Sequence, residues 1–231
     1  MIDLVQADQQ TIMAFGRQLL TDYRDSLSSF EEAAQTTVER IYDTFRQPNG
    51  DPAFALVRVF RLADFQTLPE DAQASVDSNH ERWMALAGTY GIEPAWCDRR
   101  SSHEHKVLNL GLDQNVMVSV ALYQMALEVG VEMPEIPAEL DLPKSTMVTR
   151  FFYVENAPDN PYIPAQEGFV KPYGIRSVLG IGTGFVSNSA YMLIGFMTVN
   201  VSEETGAKFA QLAPFVSTLL AIYDEQQIWA G

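Results

Sequence analysis

The sequence has a single cysteine, Cys97. That excludes an intramolecular disulfide and a multi-cysteine zinc centre. Basic residues are scarce: 15 Lys and Arg stand against 30 Asp and Glu, for a formal charge of −15. A surface of that sign repels phosphate backbones, because non-specific nucleic-acid binding runs on Lys and Arg neutralising phosphates. Docking on an anionic membrane is disfavoured for the same reason. No apolar run reaches the about 18 residues that a membrane-spanning helix needs. The start, Met1-Ile-Asp-Leu-Val-Gln-Ala-Asp8, has neither the basic nor the apolar stretch of a secretory signal. Nucleic-acid and membrane partners are therefore not expected, and the cytoplasm is the expected compartment. There is no internal repeat. What is present is a chain of 231 residues, 47% hydrophobic and 19% charged, long enough to bury a core.

The spacing predicts a helix over 8–27, where Ile12, Phe15, Leu19, Tyr23 and Leu27 recur at helical intervals. A second is predicted over 30–46. Two overlapping capping boxes open it, Ser28 with Glu31 and Ser29 with Glu32. Phe30, Ala34, Val38, Ile41 and Phe45 stripe it, and the turn cluster Gln47-Pro48-Asn49-Gly50-Asp51-Pro52 ends it. Phe54 to Leu62, FALVRVFRL, is apolar on both faces and reads as a central strand. Further strands are predicted over 82–89, 104–110, 150–155, 175–183 and 191–199. Between them fall loop or short helix at 64–77, helix at 115–129, an acidic, proline-broken loop at 130–145, and a hairpin connection at 184–189. Ser202 should cap a C-terminal helix running to about 227, with Glu203 and Glu204 where the helix dipole favours carboxylates. Its stripe is Phe209, Leu212, Val216, Leu219 and Tyr223, and Pro214 should kink it. Strands grouped together, with helices gathered at the two ends, predict an α+β fold on an antiparallel sheet.

Tyr173-Gly-Ile-Arg-Ser-Val-Leu-Gly-Ile-Gly182, the hairpin, Leu193-Ile-Gly-Phe196, Val201-Ser-Glu-Glu-Thr205 and the striped helix after them resemble the end of a GAF domain. Residues 162–176, with Glu93-Pro-Ala-Trp-Cys-Asp-Arg-Arg100 and Phe54-Ala-Leu-Val-Arg-Val-Phe60, are similar to GAF-like sensory modules at the N-termini of bacterial signalling proteins such as sensor histidine kinases. The resemblance spans residues 30–225 and implies a specific architecture. A six-stranded antiparallel sheet would carry the N- and C-terminal helices on one face and a pocket on the other, beneath loops 92–105 and 156–173. Residues 1–28 would be a helical extension and 29–231 the sensory domain. Signal would pass through the terminal helices, with the stripes from Phe30 to Phe45 and Phe209 to Tyr223 as candidate homodimer surfaces. A kinase or other regulator would take the output, either from a longer protein or in trans.

The segment richest in chemistry is Trp96-Cys97-Asp98-Arg99-Arg100-Ser101-Ser102-His103-Glu104-His105. It reads in two ways. It is a pocket wall in which Arg99 and Arg100 take a carboxylate or phosphate in bidentate fashion, or a surface loop whose charges pair with each other. His103 and His105, two apart, would face the same way on a strand. With Cys97 they would make a metal or haem site, against which stand the missing fourth ligand and second cysteine. Some GAF domains anchor a bilin on a cysteine followed directly by His; here Asp98 follows. Others reduce free methionine sulfoxide, which needs several thiols.

Loop 156–173, with Tyr162, Phe169, Lys171 and Tyr173, is either a lid over an aromatic-lined pocket or an ordered crossover packed on the sheet. Gly180-Ile-Gly-Thr-Gly184 is followed by a hairpin rather than a helix, so it lacks the phosphate-binding helix terminus. No Ser-His-acid order or nucleophile elbow is present, and an enzyme is not expected. The reading is a sensory domain in which Arg99, Arg100 and Lys171 hold an anionic group while Trp96, Phe169 and Tyr173 contact its apolar part. Cys97, Asp98 and His103 complete the candidate site. The cofactor is left unassigned, and a ligand-free dimerisation or protein-interaction module is the alternative.

Overall fold

The computed structural model describes residues 1–76, 82–102, 105–109, 151–160, 163, 165–184, 189–224 and 226–230. The helix predicted over 115–129, the loop over 130–145, His103, Tyr162 and residues 185–188 of the hairpin lie outside them, as does His80, which its sequence neighbours mark as a surface residue.

Among the described residues the sheet has six strands: β1 (Phe54–Asp64), β2 (Arg82–Gly91), β3 (Val107–Asn109), β4 (Phe151–Val154), β5 (Ser177–Gly184) and β6 (Ala190–Met197). They lie in the order β3-β2-β1-β6-β5-β4, and every neighbouring pair is antiparallel. This is the expected α+β architecture. The central place of β1 follows from its sequence. An uninterrupted apolar run can be covered on both faces and paired on both edges, and all but its last residue are buried.

The helices α1 (Gln9–Tyr23), α2 (Phe30–Thr44), α4 (Glu203–Phe209) and α5 (Ala213–Asp224) cover one face of the sheet, while the short α3 (Glu70–Gln73) follows β1. Asp8 caps α1 by accepting from the Thr11 N–H at 2.8 Å. Ser29 caps α2 by accepting from the Glu32 N–H at 3.1 Å, and the Glu32 carboxylate reaches back to the Ser28 N–H at 2.8 Å. Of the two predicted boxes, the Ser29–Glu32 one forms, and it leaves Glu31 to turn inward. Ser202 caps α4 through the Thr205 N–H at 3.2 Å.

The C-terminal helix is broken rather than kinked. A 3-10 turn over Ala210–Leu212 separates α4 from α5, and Pro214 is the second residue of α5. Proline has no N–H to give the preceding turn, but it fits the first turn of a new helix.

On the helix-covered face, Val57, Val59, Leu179, Ile181 and Leu193 meet Ile12, Phe15, Val38, Ile41, Phe209 and Val216 in one core. Each such side chain, fully buried, is worth about 1.5–3 kcal/mol. Residues 1–28, read as an extension, contribute Leu4, Ile12, Phe15 and Leu19 to this same core. The two stripes offered above as dimer surfaces are buried here too, against the domain's own sheet. The outward side of α1 carries Gln10, Arg17, Gln18 and Asp22 instead.

One contact fixes the sheet-to-helix distance. Gly88 on β2 lies so close to α2 that a Cβ there would sit 2.5 Å from the Ala34 carbonyl carbon. On the opposite face Phe60, Leu62, Met84, Leu86, Met192 and Ile194 pack under Ile163, Val170 and Ile175 from the 156–176 crossover.

Candidate functional site

Two loops meet over the face that the helices leave. Pro94–Trp96 form a 3-10 turn just after β2, and Gln166–Val170 a π-helical turn within the proline-rich crossover. Ala165, with φ of +57°, opens that turn. The Gln166 side-chain amide then ties it down by donating to the carbonyls of Ala157 and Ile163 at 3.0 and 2.9 Å. Trp96 consequently meets Tyr173 at a ring-centroid distance of 4.6 Å and Phe169 at 5.6 Å. Phe169 stands edge-on to Phe196 of β6 at 5.0 Å. The three loop rings are half-buried. Gly91, beneath them, has no side chain; a Cβ there would be 2.9 Å from the Trp96 ring. Desolvation, with the Glu93 carboxylate beside it, pushes the Tyr173 hydroxyl above its ordinary pKa. The sequence grouped these rings as one apolar contact, and the structure brings them together.

The cations have other occupations. Arg99 is buried, with its Nε 2.8 Å from Glu31 Oε1, its Nη1 3.0 Å from Asp71 Oδ1, and its guanidinium 5.4 Å over the Trp229 ring. Arg100 donates to the Ala230 carbonyl at 3.0 Å and lies 3.4 Å from Glu31. Lys171 is exposed between Asp159 at 3.1 Å and Glu167 at 2.6 Å, hydrogen bonds that raise its pKa. The expected anion contact from Arg99, Arg100 and Lys171 therefore meets an arrangement in which each already faces a carboxylate. The carboxylates facing Arg99 and Arg100, Glu31 and Asp71, come from distant segments rather than from their own loop, whereas those facing Lys171 lie in its own crossover.

Burial pushes the Asp71 carboxyl up, but hydrogen bonds from Lys106 and Arg99 outweigh it and hold it below its ordinary value. Asp98 is exposed and accepts from the Arg100 N–H at 2.7 Å. The Cys97 thiol is half-buried and turns back on its own loop, 3.5 Å from the Gly91 and Glu93 carbonyls. His105 is exposed with φ of +60°, and His103 lies outside the described residues. Among the described residues no three His, Cys, Asp or Glu side chains are grouped to hold a metal ion.

Sequence reasoning missed several residues that the structure places centrally. Arg58 on β1 is 7% exposed on the loop-covered face, donating to Ser102 Oγ at 3.2 Å. Its register partner on β2 is Thr89, fully buried, whose hydroxyl has no hydrogen-bond partner among the described residues. Gln35 on α2 donates to the Thr89 and Cys97 carbonyls at 3.1 Å each and accepts from the Thr89 N–H. It thereby joins the helix layer to the Trp96 loop. One signal for Arg58 was available: a charge inside a strand buried on both faces must be hydrogen-bonded or paired.

No protein-family model matches the sequence. No curated protein matches it either. Solved structures share its architecture over nearly the whole chain, two of them as follows. One is the GAF domain of a phosphoenolpyruvate-protein phosphotransferase from Coxiella burnetii, at 13% identity and TM-score 0.52, covering 93% of this chain and 94% of that one. The fold is that of a GAF domain. The other is free methionine-R-sulfoxide reductase from Neisseria meningitidis, solved with its substrate, at 11% identity and TM-score 0.54, covering 94% and 93%. At such identities the likeness carries the fold, and function has to be argued from the site. Among the described residues, no helix is long and apolar enough to cross a membrane.

Proposed function

We propose that this GAF-fold chain is a regulatory sensor domain. In this reading a small molecule binds against the loop-covered sheet face, at the Trp96, Phe169 and Tyr173 rings, and its presence is read at the chain's C-terminal segment. The observation that carries the proposal is the double attachment of segment 94–102. Its first turn puts Trp96 into the aromatic cluster. Its far end puts Arg99 and Arg100 onto Glu31 and the 226–230 tail. That tail pairs with the start of α2, where the Phe30 N–H donates to the Gln227 carbonyl at 2.8 Å and the Glu31 N–H to the Ile228 carbonyl at 2.9 Å.

A ligand that favours one packing of Trp96 shifts the population of states of the whole segment. The shift reaches the tail without any long-range device. Output then belongs to a kinase or regulator of the kind that bacterial signalling proteins place after such modules. The reading is of binding rather than catalysis. The fold does serve a reductase in the Neisseria protein, but a single thiol cannot run a disulfide-cycling reduction.

The test is a melting-temperature screen of the full chain against a metabolite panel. A compound at about 100 times its Kd stabilises by about 2.7 kcal/mol. A compound that raises Tm in the wild type, and fails to do so in Phe169→Ala, supports the proposal. A broad panel with no stabilising compound counts against it and in favour of a ligand-free interaction module.

A further inference from the structure

Residues 226–230 run back over the start of α2 and are fastened there at several points. The Gln227 and Ile228 carbonyls accept from the Phe30 and Glu31 N–H groups at 2.8 and 2.9 Å. The Ala230 N–H donates to Glu31 Oε2 at 2.9 Å, and Arg100 donates to the Ala230 carbonyl at 3.0 Å. The Trp229 indole N–H donates to the Thr67 carbonyl. Its ring lies under the Arg99 guanidinium and packs on the small cluster of Ala63, Leu68, Ala72 and Trp83.

These contacts give the tail a task. A helix start leaves its first N–H groups without partners inside the helix. In α2 the Ser29 hydroxyl serves the Glu32 N–H, and the tail carbonyls serve those of Phe30 and Glu31. The tail thus completes the cap of α2 and covers the Glu31 carboxylate beside Arg99.

The chain is held unequally on the two sides of this point. Asp224, the last residue of α5, is 5% exposed, with Arg61 Nε at 2.7 Å and the Arg61 guanidinium 5.4 Å over the Phe30 ring. Parting a buried pair of that kind leaves charge uncompensated, so this end is firm. Beyond it none of residues 226–230 is buried: Gln226 and Gln227 are exposed, and Ile228, Trp229 and Ala230 are half-buried. Their hold is one ring contact and a set of hydrogen bonds that water can replace, each of small net worth. Against it stands the entropy of ordering the same residues, a term of like size. Segments so balanced open while the core beside them stays closed.

We propose that residues 226–230 are a releasable strap. Docked, it caps α2 and covers Glu31. Released, it opens the Phe30 and Glu31 N–H groups, the Glu31 carboxylate and the Arg100 side chain to solvent together, with α5 still anchored through Arg61 and the sheet unchanged. The strap belongs to the chain alone and needs no ligand, so it stands or falls apart from the sensing reading. Where that reading also holds, the strap is the two-state element that the ligand biases.

The test is amide hydrogen exchange of the ligand-free full chain, read residue by residue in rising urea below the unfolding transition. The Phe30, Glu31 and Ala230 amides should share one opening, with protection equal within about threefold and about a hundredfold or more below that of the Val57 and Val59 amides of β1. Their protection should barely change with urea, because opening the strap exposes little surface. Trp229→Ala should lower protection at Phe30 and Glu31 about tenfold, and Arg100→Ala several-fold; should the first variant fail to fold, Arg100→Ala decides alone. Protection at the three amides as high as in β1, falling with urea in step with it, would overturn release. Wild-type amides with no protection at all would overturn the docked state. Phe30 and Glu31 unchanged in the variants would show fraying of α2 on its own and overturn the strap.

Discussion

Arg99 and Glu31 are each 5% exposed and lie in direct contact. Arg100 contacts the same carboxylate, but its side chain is 49% exposed. The two neighbours should therefore respond very differently to truncation. Arg99→Ala leaves a buried carboxylate without its main partner and should cost about 3–5 kcal/mol. Arg100→Ala should cost at most about 1 kcal/mol, as exposed pairs do. Urea midpoints of the two variants check this, and equal losses would mean that burial does not set the strength of the pair. Asp71, on the far side of Arg99, gives the pH dependence. Its carboxyl is held below the ordinary value of 3.8. A carboxyl depressed in the folded state contributes its stability in full above that ordinary value and loses it as pH falls through the folded one. Wild type should thus lose more stability than Asp71→Asn between about pH 5 and about pH 3. Parallel loss in both proteins would remove Asp71 from the acid limb.

At the scale of elements, Gly88 sets how α2 sits on the sheet. Gly88→Val would force a side chain against the Ala34 backbone, 2.5 Å from where its Cβ must go, and should cost about 1–3 kcal/mol as an overpacked contact. Gly168→Ala, in the π-helical turn with nothing within 4 Å of the new Cβ, should be neutral or mildly stabilising. Thermal melts of the pair test whether close approach, rather than glycine content, is what matters.

The elements themselves were largely legible in the sequence. Ile12, Phe15 and Leu19 in α1 and the two-faced apolar run of β1 obey the periodicities that burial imposes. The Ser29–Glu32 box and the Ser202 cap are local rules, satisfied within a few residues. What local rules cannot carry is pairing at a distance. The Ala230 N–H donates to a Glu31 oxygen 199 positions away, and the tail that makes this bond has no periodicity to announce it. The same limit explains the two arginines. Arg99 and Arg100 looked available because their carboxylate partners, Glu31 and Asp71, are far off along the chain, whereas Glu167 stands only four residues before Lys171. Arg58 looked like one strand residue among many until the register set it beside Thr89.

In the whole molecule the two faces of the sheet do different work. One is closed by helices into a core that takes in both terminal stripes. The other is covered by loops whose rings stay half-buried around a polar centre. Segment 94–102 joins the second face to the tail and the start of α2 through Arg99 and Arg100, and Gln35 joins it to α2 through the Cys97 carbonyl. This double attachment is the basis for reading the chain as a sensor.

It is tested most directly by amide hydrogen exchange on the full chain, with and without a saturating amount of the compound that gives the largest melting shift. Slower exchange is expected at residues 94–102 and 165–176 and, in the same experiment, at Phe30, Glu31 and Ala230. Slower exchange at the loops with those three amides unchanged would contradict the relay, and unchanged exchange at both loops would contradict the site.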